Sequence, residues 1–198
     1  MMIYDYKIIL GAISVVVGLI GYVPYFRDIY RGTTKPHPFS WFLWGLLDGV
    51  VFVAQIVRDG GAGAWVTGMT TIACFVIAGI ALSRGEKRIS ALDWWCLATG
   101  LSGIILWVLT RDPFYAVVLV TITDMIAFVP TFRKAYLRPG EETVSTYVLS
   151  ATKWIIGIAA LQTLSATTWL YPASLVIMNN LFAFMVVVRR RQLARVDS

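Results

Sequence analysis

The sequence predicts an all-α membrane protein of seven transmembrane helices, in which two parallel three-helix bundles are joined by a linker helix. Three observations lead to this fold class. Hydrophobic residues make up 58% of the 198-residue chain and charged residues only 14%, whereas soluble domains are roughly 45–50% apolar. The apolar residues form runs long enough to cross a bilayer, and part of the sequence occurs twice.

Each predicted span is an apolar run of about 20 residues, the length that crosses roughly 30 Å of hydrocarbon as a helix. Helices are expected because the backbone amides of a segment in lipid must form their hydrogen bonds internally. Short polar loops, several with glycine or proline, separate the runs. The seven spans cover residues 7–27, 38–57, 64–83, 90–110, 113–134, 144–163 and 167–188.

Lysine and arginine residues alternate between the two sides of the predicted membrane. Thirteen lie in one set of alternate loops and the C-terminal tail, whereas only Lys7, Arg58 and Arg111 lie on the other side. Because basic loops stay in the cytoplasm, we expect an outside N-terminus and a cytoplasmic C-terminus in the plasma (inner) membrane of a bacterium. The thirteen are Arg27, Arg31, Lys35, Arg84, Lys87, Arg88, Arg133, Lys134, Arg138, Arg189, Arg190, Arg191 and Arg195.

Large aromatic residues near the predicted span ends are interpreted as an interfacial belt. An amphipathic ring is favoured at the level of the lipid headgroups. The belt residues are Trp65, Trp94, Trp95, Trp169 and Tyr171.

A proline-bearing motif occurs twice, 106 residues apart. The similarity continues at an offset of 104, where Trp65 and its helix match Trp169 and its helix. We therefore predict a first three-helix repeat over residues 1–88, a linker span over 89–111 and a second repeat with a basic tail over 112–198. One linker span keeps the two repeats in the same orientation. In the motif, Val23, Pro24, Phe26, Arg27 and Tyr30 match Val129, Pro130, Phe132, Arg133 and Tyr136.

With these prolines and this 3+1+3 organisation, the chain resembles the SWEET and PQ-loop superfamily of seven-helix transporters. The resemblance implies that Pro24 and Pro130 act as hinges near the cytoplasmic ends of the first and fifth helices. It also implies that Asn179 or Asn180, on the seventh helix, corresponds to the asparagine at the sugar site of SWEET proteins.

The chain departs from the pattern of that superfamily in two places. Tyr25 and Thr131 follow the two prolines, where the PQ dipeptide would have glutamine. On the third helix, Phe75 and Val76 occupy the positions that match the asparagine pair.

Three charged residues, Asp48, Asp124 and Lys153, lie near the middle of predicted spans. A charge at the bilayer centre costs about 2.5–3.5 kcal/mol even on membrane-insertion scales, which give the lowest estimates. We therefore expect all three to face the bundle interior and to pair. Lys153, which matches Asp48 at an offset of 105, is interpreted as the partner of Asp48 or of an anionic solute group. Asp124 is a candidate protonation site, because burial favours a neutral carboxyl group. A purely structural ion pair is the alternative.

Polar and aromatic side chains recur at helical spacing around these charges, which places them on single helix faces. Such faces are predicted on the second, third, fifth, sixth and seventh helices, and together they would line one central cavity. The predicted solute-binding residues are Asp48, Lys153, Asp124, Trp44, Asn179, Asn180, Thr70 and Ser150.

The predicted function is alternating-access transport of a small polar or charged solute across the lipid bilayer. A seven-helix receptor or assembly protein without net transport is the alternative. No catalytic motif or metal-binding spacing is present, so we expect no enzyme activity, metal or cofactor. Topology explains the basic residues, so we expect no nucleic-acid partner. A homo-oligomer is compatible with the fold, although one chain holds both repeats.

Overall fold

The structure is a computed structural model that describes residues 2–32, 36, 38–85, 91–142 and 144–196. Within these residues the chain is α-helical apart from short turns, and it contains no strand. The predicted all-α fold class is therefore confirmed. Of the basic residues that predict the orientation, Lys35, Lys87 and Arg88 lie outside the described residues.

Seven α-helices make up most of the described chain: α1 (Met2–Tyr30), α2 (Pro38–Val57), α3 (Trp65–Arg84), α4 (Ala91–Thr110), α5 (Pro113–Leu137), α6 (Val144–Ala160) and α7 (Ala166–Val196). Each overlaps one predicted span. By length and composition, α1, α2, α3, α5 and α7 can cross a membrane, whereas the apolar helices in α4 and α6 are shorter. Single 3-10 turns occur at Gly61–Ala64 and Pro139–Glu141.

Helix α5 begins with a proline and a side-chain cap. Pro113 is its first residue, a position whose amide would make no hydrogen bond within the helix, so proline costs nothing there. The Oδ1 atom of Asp112 accepts a hydrogen bond from the amide of Phe114 at 3.0 Å. The same atom forms an ion pair with Arg58 at 2.7 Å. These interactions lower the pKa of Asp112 below its usual value, and the hydrogen bond from the Phe114 amide has the largest effect. They also tie the turn after α2 to the turn after α4.

The helices pack in two sets that have the same internal arrangement. Helix α3 packs against α1 and α2, and α7 packs in the same way against α5 and α6. Between the sets, α1 packs against α6 and α2 against α5, while α2 also meets α7 and α3 meets α6. Exchanging α1, α2 and α3 for α5, α6 and α7 therefore reproduces every one of these pairs. Helix α4 lies outside this scheme, against α5 and α2.

At one end of the bundle, glycine residues bring the two sets into backbone contact. We call this the closed end; it holds the turns 58–64 and 161–165. A Cβ atom on Gly63 would lie 2.5 Å from the amide nitrogen of Leu161, and one on Gly157 would lie 2.6 Å from Val66 Cγ1. The amide of Gln162 donates to the carbonyl of Gly60 at 3.0 Å. Only glycine permits this approach.

The opposite end of the bundle carries two matching arginine contacts. We call this the basic end; it holds the turns after α1, α3 and α5. Arg84 of α3 donates to the carbonyl of Tyr30 at 3.4 Å and lies 5.2 Å from the centre of its ring. Arg189 of α7 donates to the carbonyl of Tyr136 at 3.3 Å and lies 4.0 Å from the centre of that ring. Each contact joins the first and third helices of one set.

Proline residues lie inside three helices, one of which the sequence interpretation passed over. Pro24 lies within α1 and Pro172 within α7. Residue 130 lies within α5, but the side chain of Pro130 is outside the described part. Because Pro172 has no amide hydrogen, the carbonyl of Thr168 loses its helical donor. The Nε2 atom of Gln55 on α2 donates to this carbonyl at 2.8 Å, so a side chain from the other set replaces the missing bond.

We expect Gly63→Ala to lower the free energy of unfolding by about 1–3 kcal/mol, because the new methyl group overpacks the contact with α6. Thermal unfolding of the purified protein measures this. The control is Gly79→Ala on the exposed face of α3, where a Cβ meets nothing within 4 Å. There alanine should be neutral or stabilising. Equal effects of the two changes would contradict the close contact at Gly63.

We expect Gln55→Leu to cost about 1–3 kcal/mol of unfolding free energy, because it leaves the buried carbonyl of Thr168 without a donor. Adding Pro172→Ala supplies a backbone amide to that carbonyl. The double variant should therefore be more stable than the sum of the two single effects predicts. Thermal or denaturant unfolding of all four proteins tests this coupling, and strictly additive effects would contradict it.

Candidate functional site

A cavity of about 300 Å³ lies between the two sets of helices. Its walls come from α1, α2, α3, α5, α6 and α7, and no described residue of α4 contributes to them. On α2 and α6 it extends from Asp48 and Lys153 to Trp41 and Thr146, which lie near the basic end. The cavity is the candidate functional site.

The cavity brings together seven of the eight predicted solute-binding residues. The exception is Asn180, whose exposed side chain donates to the carbonyl of Val176 at 2.8 Å. Adjacent helical residues point about 100° apart, so only one asparagine of the pair can face inward. The residues that line the cavity are Asp48, Lys153, Asp124, Trp44, Asn179, Thr70 and Ser150.

Lys153 is buried in the wall of the cavity and has several partners. Its Nζ atom donates to Thr70 Oγ1 at 3.0 Å. It also lies 5.2 Å from the ring centre of Tyr22 and 4.8 Å from that of Trp154. A cation close to aromatic faces is stabilised by their electron density, more strongly when water is excluded. The positive charge is therefore compensated without a carboxylate in contact.

The expected ion pair between Asp48 and Lys153 is absent from the structure. Both side chains are described and line the same cavity, yet no ion pair joins them within 4 Å. Thr70 and two rings hold the lysine amine, so the two side chains make no direct contact, but the charges of Asp48 and Lys153 still act on each other electrostatically.

Asp48 and Asp124 are both buried and both have an oxygen atom without a hydrogen-bond partner in the described protein. The Oδ2 atom of Asp48 receives a weak bond from the thiol of Cys74 at 3.8 Å, whereas its Oδ1 atom is unpartnered. The Oδ2 atom of Asp124 is unpartnered as well. The two carboxylates lie close enough for Asp48 to act electrostatically on Asp124. Unpaired acceptors in a buried wall are costly, so this wall favours a donor.

Aromatic side chains cover the part of the cavity that extends toward the basic end. The indole nitrogen of Trp41 donates to the hydroxyl of Tyr25 at 3.1 Å, and this bond joins α2 to α1. Trp41 packs edge-on against Trp44 with a centroid distance of 5.2 Å. Phe128 of α5 also lines the cavity. These rings form an apolar surface beside the two carboxylates.

Sequence reasoning missed several residues that line the cavity, among them Tyr22, Tyr25, Cys74 and Tyr171. Tyr22 and Tyr25 follow Gly18 on α1 at helical spacing, and Cys74 follows Thr70 by four residues on α3. Spacing could have identified these three.

Another missed residue, Tyr171, was assigned to the interfacial belt, and this assignment is wrong because its side chain is buried in the cavity wall. Position near a span end does not show which way a ring points. The other residues assigned to the belt are exposed: Trp65, Trp94, Trp95 and Trp169.

Matching positions of the sequence repeat supply much of the cavity wall. At an offset of 105, Asp48 matches Lys153, and both line the cavity. The same holds at this offset for Trp41 with Thr146 and for Trp44 with Leu149. At an offset of 106, that of the proline motif, it holds for Gly18 with Asp124 and for Tyr22 with Phe128. The matched positions carry different side chains, so the wall is symmetric in position and asymmetric in chemistry.

Among the described residues, no group of three or more His, Cys, Asp or Glu side chains is placed to hold a metal ion. No protein-family model, curated protein or solved structure matches the chain.

We expect Thr70→Val to lower the free energy of unfolding by about 1.5–3 kcal/mol, since it removes an acceptor from a buried charged amine. The matched control is Thr71→Val, one residue along the same helix, whose hydroxyl bonds only to the carbonyl of Thr67. In a Lys153→Met background the penalty at Thr70 should shrink. Equal penalties at the two threonines would contradict the role of Thr70.

Proposed function

We propose that this protein carries a small polar or charged solute across a membrane by alternating access around the cavity. The observation that supports this most strongly is the wall itself, in which matching repeat positions from both sets of helices face one buried space. Carriers built from repeats bind their solute between the repeats, near the middle of the membrane. Asp48, Asp124 and Lys153 supply the polar groups of such a site.

The proposal includes the 3+1+3 arrangement, with repeats over residues 1–88 and 112–198 and a linker over 89–111. The matching helix pairs of the two sets support it. So do the equivalent arginine contacts on Tyr30 and Tyr136. Helix α4, whose described residues do not line the cavity, suits the linker. On this basis we retain the resemblance to the SWEET and PQ-loop plan as part of the proposal.

We further propose that all seven helices span the plasma (inner) membrane of a bacterium, with the N-terminus outside. The described helices expose many large apolar side chains, such as Ile9, Val16 and Ile20 on α1, as lipid-facing surfaces do. The three mid-span charges instead lie inside the bundle, which intramembrane charges require. The excess of basic residues at the basic end favours the cytoplasm for that end.

Alternating access needs a conformation in which the cavity is open to one side only. Two features support the proposal that the structure is such a conformation. At the closed end, backbone contacts at Gly63 and the bond from Gln55 join the two sets. At the basic end, the contacts of Arg84 and Arg189 stay within their own sets. The structure therefore resembles the cytoplasm-open state of the proposed carrier.

The proposed opposite state closes the basic end and separates the glycine contact. Pro24 and residue 130 lie between the level of the charges and the basic end of their helices. Each proline frees a backbone carbonyl one turn earlier, so the helix bends there more easily. We propose these positions as the hinges.

The test is solute counterflow in liposomes with the purified protein, using a panel of radiolabelled amines, amino acids, organic acids and sugars. We expect the wild type to move at least one solute and Lys153→Ala to lose that movement. Without the lysine, the empty cavity would hold two carboxylates and no counter-charge, and closing around them is costly. Arg31→Ala removes a charge from the exposed turn after α1 and should leave flux unchanged.

Two results would change the proposal. Flux that survives in a folded Lys153→Ala protein would remove Lys153 from the mechanism. Solute binding with no flux for any member of the panel would favour a receptor or assembly protein instead of a carrier.

A further inference from the structure

We infer that the cavity selects an organic monocation, namely an ammonium group with at least one N–H donor on a flat and largely apolar body. The inference concerns the solute of the proposed carrier and so rests on the proposed function. It is carried by the unpaired acceptors, the balance of charge and the aromatic wall.

The acceptors are the first argument. Asp48 and Asp124 are each only 3% exposed, both line the cavity, and each has one oxygen atom with no partner in the described protein. A buried acceptor without a donor is destabilising. A primary ammonium group has three N–H donors and no acceptor, so it matches a wall that offers free acceptors. A carboxylate or phosphate group has no donor to offer them when ionised.

The balance of charge is the second argument. The described charged residues of the cavity are two aspartates and Lys153, which leaves one negative charge in excess when all three are ionised. Lys153 is held by Thr70 and by the rings of Tyr22 and Trp154. A solute with one positive charge neutralises the excess, whereas an anion would add to it in a space that water screens poorly.

The wall is the third argument. Trp41 and Trp44 pack edge to face, and Tyr25 fixes the orientation of Trp41 through its hydroxyl. Rigid rings of this kind bury a flat apolar body and also attract a cation. A volume of about 300 Å³ is at the lower limit of small-molecule pockets. The solute is therefore small, with its ammonium group toward the carboxylates and its apolar part along the indoles.

The decisive experiment compares four probes of similar size on wild-type protein in detergent or nanodiscs, by calorimetry or thermal shift. They are 2-phenylethylamine, 2-phenylethanol, phenylacetate and phenylalanine, which have the same ring with a cationic, neutral, anionic or zwitterionic group. We expect 2-phenylethylamine to bind at least about tenfold more tightly than each of the others. Tighter binding of the alcohol, the anion or the zwitterion would overturn the inference. Binding of none of the four would also overturn it.

A fifth probe separates hydrogen bonding from charge alone. Trimethyl(2-phenylethyl)ammonium carries the same charge but has no N–H donor, so it cannot satisfy the two free oxygens. We expect it to bind more weakly than 2-phenylethylamine. Equal or tighter binding of this probe would overturn the requirement for a donor.

Substitutions of the two cavity aspartates test whether the amine binds in this cavity. Asp48→Asn and Asp124→Asn should each weaken 2-phenylethylamine binding by about 30-fold or more, since each removes one member of a buried charge pair. Asp59→Asn is the matched control. Asp59 is exposed and has a φ of 52°, a conformation that asparagine tolerates. Equal weakening by all three changes, or by none, would place the cation elsewhere and overturn the inference.

The charge balance predicts that replacing the lysine does not weaken amine binding, in contrast to replacing either aspartate. Lys153→Met should leave 2-phenylethylamine binding unchanged or tighter, although flux is lost. A folded Lys153→Met protein that loses cation binding would contradict the assigned charge balance. If Lys153→Met does not fold, the probe series on the wild type decides alone.

The two proposals fail in different ways. Flux of an acid or a sugar, without amine selectivity, would retain the carrier and reject the monocation. Selective amine binding with no flux for any solute would retain the cation site and reject the carrier.

Discussion

The cost of burying charge is the constraint on which the rest of this structure depends. Asp48, Asp124 and Lys153 occur in helices that are otherwise almost wholly apolar, and none of the three is turned to the outer surface. Six helices surround them, and the lysine lies between an acceptor hydroxyl and two aromatic rings. The carboxylates are less well satisfied. Buried acceptors without a donor are costly, and the two aspartates place theirs in the wall of the cavity.

Close packing at one end of the bundle and long side chains at the other give the protein two different ends. Gly63 and Gly157 let backbones of the two sets touch without intervening side chains. Tyr25 and Trp41, by contrast, fill space near the basic end. Pro24 and residue 130 lie on this side of the charges, whereas Pro172 lies toward the other end, beside the bond from Gln55.

Composition and periodicity predicted the all-α class and the positions of the helices, because a lipid-facing helix needs a long apolar run. Helical spacing also predicted the charged part of the cavity wall, because the costly charges had to face inward together with the residues on the same helix faces. It failed where the outcome depends on a specific tertiary neighbour. Nothing local shows that Thr70 and two rings would hold Lys153 in place of Asp48, or that Tyr171 would turn inward. The bond from Gln55 to Thr168 likewise depends on Pro172, a residue 117 positions away.

The opposite charges at matching repeat positions have a consequence for how such a protein can arise. A dimer assembled from two copies of either half would place two aspartates, or two lysines, at the positions that Asp48 and Lys153 occupy. Like charges facing each other across a small cavity repel, and such a dimer cannot place opposite charges at the two positions, because every substitution would appear twice. Joining the halves in one polypeptide removes that restriction. Gene fusion therefore allows the two walls to diverge in sign, and an unequal site of this kind is accessible only after the halves are encoded together.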